Sequence, residues 1–274
     1  MSVVVALVGI IMDSHSEQEF RLFLPTLAAL AGRVVLPWFR QPLSVINKGG
    51  QHFDPVTLAD REAEQALRAA ILARYPDHSI LGEEFGEHLG SSAYRWVIDP
   101  IDGTRAFISG APTWGTLVGL CEDNQPVLGM MSQPFVGEIF LGGGARSTLS
   151  RGGHTVDLRT RATANLAEAS LFATTPEMFS AAEWAAFQRV SAAVRLTRFG
   201  IDCYAYCLLA AGHIDLVIEA GLGFYDIAPL IPIIQAAGGL VSDWRGAPVR
   251  AGGRVIAAAN ASLHASALAL LADA

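Results

Sequence analysis

The sequence predicts an α+β half followed by an α/β half around a sizeable core. Two amphipathic helical stretches open the chain and lead into a cluster of short apolar strands. From Ser170 onward, short strands alternate with helices. Apolar residues make up 51% of the 274 residues and charged ones 16%, enough to bury a core and unlike a disordered chain. With no repeat and no low-complexity linker, the halves are expected to share a broad interface, with domains at 13–150 and 151–274.

The stretch Met1 to Met12 is almost wholly apolar but lacks the basic start and Ala-x-Ala-like site of a signal peptide. Met12 reads as the working start, and the residues before it as a loosely ordered extension. Glu17 to Arg40 reads as a helix, with Phe20, Phe23, Leu24, Leu27, Leu30 and Val34 at helical spacing; Pro25 implies a kink or a later start. Ala59 to Tyr75 is a second helix, ended by Tyr75-Pro76-Asp77. Strands follow at Ser79 to Leu81 and Tyr94 to Ile98. A hairpin joins Trp114 to Cys121 with Pro126 to Ser132, and another strand runs from Gly137 to Leu141. The pattern changes between Arg151 and Leu166. Beyond it, strands are expected at Ser170 to Ala173, Val194 to Arg198, Ile214 to Glu219, Leu240 to Ser242 and Val255 to Ala259. Helices are expected at Ala181 to Ala193, Cys203 to Ala211, Ile227 to Ala237 and Ser262 to Leu271.

Composition excludes several functions. Mean hydropathy is high at +0.36, yet Asp, Arg, Gly or Pro interrupts every apolar run before it could span a bilayer, so no membrane role is expected. A net charge of −7 without any Lys/Arg cluster argues against a nucleic-acid partner. Cys121, Cys203 and Cys207 form no disulfide or metal framework, which fits a reducing cytoplasm. Such acidity around an anionic substrate would call for bound cations.

Chemistry concentrates between Trp96 and Phe107. An apolar strand delivers Asp99 at its C-terminal end, Pro100 stiffens the exit, and Asp102 follows three residues on, so both carboxylates can meet one hard cation such as Mg²⁺. Gly103 and Thr104 then open a short helix whose N–H groups suit a phosphate. Alternatively Asp102 is a helix cap and Asp99 a turn residue. Glu83 and Glu84 end another short strand, or form a solvated acidic loop. Asp60 and Asp226 each stand at a helix start, where a capping acid is also common. Lys48 is a basic loop residue or simply solvated. The seven histidines, including His52, His78 and His213, are scattered and read as surface or core residues.

Together these residues resemble the inositol monophosphatase family. Trp96 to Phe107 fits its W-x-I-D-P-[IL]-D-G-T-x-x-F signature at every defined position, and Thr57-x-x-Asp60, Gly82-Glu83-Glu84, Tyr225-Asp226 and Ala237-Gly238-Gly239 fall in the expected order. Tyr225 stands where the family usually has Trp. The resemblance implies a five-layer αβαβα sandwich and a Mg²⁺-dependent phosphomonoesterase with two or three ions, commonly a homodimer. Glu83, Asp99 and the Ile101 carbonyl would hold one ion, and Asp99, Asp102 and Asp226 a second. Asp60 and Glu83 would lie beside the attacking water, and Thr104, partnered by Asp60, would orient it. Gly103 and Thr104 would bind the phosphate.

The substrate is a separate question, because the family acts on inositol phosphates, nucleotide and sugar bisphosphates and histidinol phosphate. Gly200 to Tyr206, Gly212 to Glu219, Gly221 to Asp226 and Ser242-Asp243-Trp244 are similar to the histidinol-phosphate phosphatase subgroup, as are Arg105 to Gly110 and Trp114 to Leu117. Asp202 and Glu219, with Asp102 and Asp226, would then face the substrate, their carboxylates suiting an ammonium and an imidazole. Asp202 reads equally as an N-cap for the helix after it. An inositol or broad sugar-phosphate phosphatase, or a regulatory binding protein of the same fold, are the alternatives.

Overall fold

The computed structural model describes residues 14–42, 45–47 and 55–272. The expectations about Met1 to Met12, Lys48 and His52 lie outside them. Helix α1 (Ser14–Val35) begins well before Pro25, so the later start does not occur; Pro25 is inside the helix on its exposed side. A short ribbon, β1 (Val45–Asn47) with β2 (Pro55–Thr57), leads into α2 (Leu58–Arg74). Phe20, Phe23, Leu24 and Leu27 of α1 and Leu67 and Ile71 of α2 are buried together against Trp96, Ile98, Val118 and Met130 of the first sheet. By length and composition His15–Trp38 is a helix that could cross a membrane, which corrects the expectation that no apolar run suffices. Its apolar stripe is nevertheless used inside the core.

The first sheet has eight strands in the order β10-β9-β8-β7-β6-β5-β3-β4. They are β3 (Ser79–Gly82), β4 (Gly86–His88), β5 (Tyr94–Asp102), β6 (Gly115–Glu122), β7 (Gln125–Gln133), β8 (Glu138–Gly143), β9 (Arg146–Arg151) and β10 (His154–Asp157), with α3 (Thr104–Ile108) after β5. Pairing is antiparallel except between β3 and β5. The β6–β7 hairpin turns on Asp123 and Asn124, both at positive φ (48° and 63°), which matches the strand twist and which these short polar residues tolerate.

The second sheet has the order β12-β11-β13-β15-β14. Its strands are β11 (Ser170–Ala173), β12 (Leu196–Phe199), β13 (Leu216–Leu222), β14 (Leu240–Ser242) and β15 (Gly253–Ala258). β12, β11 and β13 are parallel, and β15 is antiparallel to both neighbours. Helices α4 (Ala181–Ala193) and α8 (Ala261–Leu271) cover its outer face through Phe187, Val190, Leu263 and Leu271. Between the sheets lie α5 (Tyr204–Ala210), α6 (Phe224–Ile227) and α7 (Leu230–Ala236), whose Tyr206, Leu209, Ile227, Leu230 and Ile233 join Leu117, Met131 and Phe140 of the first sheet to Val217 and Val255 of the second. The layers are therefore αβαβα.

The single helix expected over Ile227 to Ala237 is broken at Ala228-Pro229, because proline has no N–H to continue the helical ladder. That break lets Pro229 lie directly on the first sheet. A Cβ on Gly119 would come within 3.1 Å of the Pro229 backbone, and one on Gly129 would overlap the Pro229 carbonyl. Strand β5 ends, and α6 begins, at the seam between this middle layer and the first sheet.

Candidate active site

Strand β5 carries Asp99 and Asp102 past a register shift against β6: Asp99 is opposite Leu117 and Asp102 opposite Gly115. The shift turns both carboxylates to one side of a strand whose alternation would otherwise separate them. The Thr116 hydroxyl donates to the Pro100 carbonyl (2.8 Å) and the Ile101 N–H to Asp99 Oδ1 (3.0 Å), fixing the bend. Gly103 follows at φ 83°, a left-handed conformation that starts α3 without strain.

From the other half, α6 brings Asp226 to the same point, its Oδ2 accepting the Gly223 N–H (2.7 Å). Ligand oxygens of Asp99, Asp102 and Asp226 lie within 4.8 Å of one another. Asp99 is only 2% exposed. Burial, then the neighbouring charges of Glu83, Asp102 and Asp226, hold its carboxyl well above the usual range. Burial, then Asp226 and Asp202, do the same for Asp102. Burial, then Glu83, push Asp226 to about 7. Glu83, in the turn after β3, thus belongs to the cluster, and it also hydrogen-bonds Asp99.

Asp60 is fully buried in the first turn of α2. Its Oδ2 accepts from the Thr57 N–H (2.8 Å) and the Thr57 hydroxyl (2.5 Å), whereas Oδ1 has no partner in the described structure. Burial, opposed by the Thr57 bonds, raises its carboxyl to about 6. Asp60 and Asp226 are therefore both capping acids, and Asp226, which caps α6 through the Gly223 N–H, is at the same time one of the three clustered carboxylates. The Thr104 hydroxyl donates to the Ile101 carbonyl (3.1 Å), while Asp60 is engaged by Thr57, the pairing seen here in place of Thr104 with Asp60.

This donor set fits a hard divalent cation. Every clustered donor is a carboxylate oxygen, and the carboxylates repel one another without a counter-charge. Glu83, Asp99, Asp102, Asp226 and the Ile101 carbonyl are the groups that could hold such ions.

The second sheet lines the other side. Asp202 is not the side-chain cap of α5; its Oδ2 accepts from the Thr113 hydroxyl (3.1 Å), and its own backbone is left-handed at φ 46°. The Cys203 N–H donates to Asp102 Oδ2 instead (2.8 Å), so a carboxylate of the cluster caps that helix start. Asp202 lies over Gly103, where a Cβ would come within 2.9 Å of the Asp202 carboxyl carbon. Glu219, 2% exposed on β13, accepts from the Thr174 N–H (2.7 Å) and the Tyr206 hydroxyl (2.9 Å). Burial raises its carboxyl and these bonds oppose the shift; it feels the charge of Asp202 and adds to that on Asp226. His78 is buried and accepts from Trp96 Nε1 (3.0 Å), and His213 is exposed, so neither joins the site.

Sequence reasoning missed Thr113, Thr174 and Tyr206, which fix Asp202 and Glu219 from neighbouring elements, and Glu64, whose carboxylate accepts from the Glu84 and Phe85 N–H groups. Only Glu64 had a local signal, a carboxylate within the apolar spacing Ala59, Ala63, Leu67 and Ile71.

The sequence profile described as the inositol monophosphatase family matches residues 16–274. The chain is 40% identical over 253 residues to the bifunctional phosphatase IMPL2, chloroplastic, of Arabidopsis thaliana, covering 88% of this chain and 72% of that protein. It is 34% identical over 238 residues to a histidinol-phosphatase of Chlorobaculum parvum, covering 85% and 89%. An inositol monophosphatase from Zymomonas mobilis superposes with a TM-score of 0.84 at 38% identity, covering 94% of this chain and 99% of that one.

Proposed function

The chain belongs to the inositol monophosphatase family, and on that premise we propose that it is a Mg²⁺-dependent phosphatase whose preferred ester is histidinol phosphate. The observation that carries the phosphatase reading is the convergence of Asp99, Asp102 and Asp226 within 4.8 Å, with Glu83 against them. Two or three ions fit this number of carboxylates, with Asp99 between Glu83 and the Asp102–Asp226 pair.

When bound, Mg²⁺ supplies charge neutralisation for the phosphoryl oxygens and lowers the pKa of water. The protein supplies placement. The turn at Gly103 and Thr104 offers N–H groups to the phosphate. The Thr104 hydroxyl, already anchored on the Ile101 carbonyl, orients the attacking water. Asp60 and Glu83 are the proton acceptors in this reading, and an Asp60 carboxyl raised to about 6 is ionised and basic at neutral pH. Holding water, phosphorus and leaving oxygen in line is the remaining work.

For the ester's other end, two acids beside the anionic cluster favour a cationic leaving group. Asp202 over Gly103 and Glu219 in β13 provide them, and the histidinol-phosphatase relative at 34% identity supports the same choice. Bound carboxylates also accept hydroxyl donors, and the Zymomonas mobilis neighbour keeps inositol 1-phosphate as the second reading. The intact acid set weighs against a purely regulatory binding protein. Three buried free cysteines accord with a reducing cytoplasm, and a homodimer is part of the same reading.

The test is kcat/KM for histidinol phosphate against inositol 1-phosphate with saturating Mg²⁺. A preference of roughly a hundredfold or more for histidinol phosphate is expected if an ion pair is recognised; preference for the inositol ester rejects the substrate assignment. Asp202→Asn, which tolerates the left-handed backbone, is expected to raise KM for histidinol phosphate about tenfold while largely sparing kcat.

A further inference from the structure

We propose that Glu64 is a positioning residue for the metal site, its buried carboxylate clamping the turn that presents Glu83. The proposal rests on the reading of Glu83 and Asp99 as metal ligands. Glu64 lies one helical turn after Asp60 on the buried face of α2 and is itself fully buried. A carboxylate there needs a full set of donors. It has them: Arg68 Nε at 2.7 Å, the Glu84 N–H at 2.7 Å and the Phe85 N–H at 3.2 Å. Arg68 in turn donates through Nη2 to the Gly86 carbonyl.

The pair therefore grips the turn after Glu83 at two N–H groups and one carbonyl. On the other side, the Glu83 N–H bonds the Ile98 carbonyl (3.2 Å), immediately before Asp99. Glu83 is thus fastened on both flanks, to α2 and to β5, and its side-chain direction follows. Gly82 belongs to the same device, because a Cβ at that position would occupy the space of the Glu64 carboxylate and the Arg68 guanidinium. Arg68 also neutralises Glu64 in an i,i+4 ion pair, so the clamp adds little net charge to an already acidic neighbourhood.

Mn²⁺ binding to the metal-stripped full chain, followed by electron paramagnetic resonance of the free ion, reads this role without relying on turnover. Glu64→Gln is expected to weaken Mn²⁺ binding about tenfold or more, the usual cost of losing a group that orients a ligand. At saturating Mg²⁺, KM for the ester should change less than about twofold, since Glu64 does not meet substrate. Glu64→Asp keeps the charge but withdraws the carboxylate by one methylene, and should lose affinity comparably; wild-type affinity in Glu64→Asp or in folded Glu64→Gln overturns the proposal. Should both variants fail to fold, Arg68→Lys keeps the positive charge and loses the planar fork; about threefold or greater weakening is expected, and unchanged affinity overturns the clamp. Asp99→Asn separates the premise from the proposal. If it binds Mn²⁺ as tightly as wild type, the ligand reading fails and the clamp's purpose with it; if it loses binding while the Glu64 variants do not, only the clamp fails.

Discussion

Asp99 shares a buried corner with Glu83, Asp102 and Asp226, and burial and these neighbouring charges oppose ionisation of its carboxyl there. Asp99→Asn should therefore act in opposite directions on two measurements. Phosphatase activity with Mg²⁺ should fall about a hundredfold or more, since a ligand is worth at least as much as an outer partner. In chelator, the melting temperature should rise at pH 8, because an acid whose ionisation is opposed by burial and acidic neighbours only in the folded state is replaced by a neutral amide, while the oxygen that accepts the Ile101 N–H is kept. A lower melting temperature in chelator would show that repulsion does not dominate this corner. At this scale the sequence was informative about acids and silent about what fixes them. Asp60, Glu83, Asp99, Asp102 and Asp226 carry their chemistry in local motifs. The Thr174 N–H and Tyr206 hydroxyl that hold Glu219 come from separate elements, and no spacing near residue 219 reveals either.

The elements serve the site through close backbone approaches. Pro229 splits the helical run after Asp226, and Gly119 and Gly129 on adjacent strands leave room for its backbone. Gly129→Ala would force a methyl onto the Pro229 carbonyl oxygen, where neither strand nor helix can yield locally. Overpacking of this kind costs about 1–3 kcal/mol. Because α6 is displaced with Pro229, the Mg²⁺ concentration for half-maximal activity should rise as well. Thermal melting and a Mg²⁺ titration check both effects, and loss of stability with unchanged Mg²⁺ dependence would mean that α6 stays seated. Elements with strong periodicity were legible: Ser170–Ala173, Ala181–Ala193 and Leu240–Ser242 lie where the pattern puts them. The extra strands β9 and β10 were not. All four residues of β10 are exposed, and β9 is buried only at Ser147 and Thr148, so neither carries an apolar face to read. The helix break after Ile227 was legible in principle, since Pro229 stands in the sequence.

For the whole molecule, burying Asp99, Asp102 and Asp226 at the seam between the first sheet and the middle layer, and Asp60 in the first turn of α2, couples folding to protons and, under the proposed function, to metal. In the metal-free protein Asp60 titrates at about 6 and Asp226 at about 7, and Asp99 and Asp102 are also raised. Each has an ordinary value of 3.8. The folded chain thus holds protons that the unfolded chain has released. Stability from these groups is fully present below about pH 4 and is lost as pH rises through about 6 and 7. In chelator, the melting temperature should consequently decline between pH 5 and pH 8. A divalent ion competes with those protons for the same oxygens, so its binding should tighten across that interval. Added Mg²⁺ should raise the melting temperature little at pH 5 and by several degrees at pH 8, as binding to the folded state alone requires. A stabilisation by Mg²⁺ that did not depend on pH would place the ion away from Asp60 and Asp226. Both trends follow from one arrangement, in which the same carboxylates destabilise the bare fold and, under the proposed function, hold the metal.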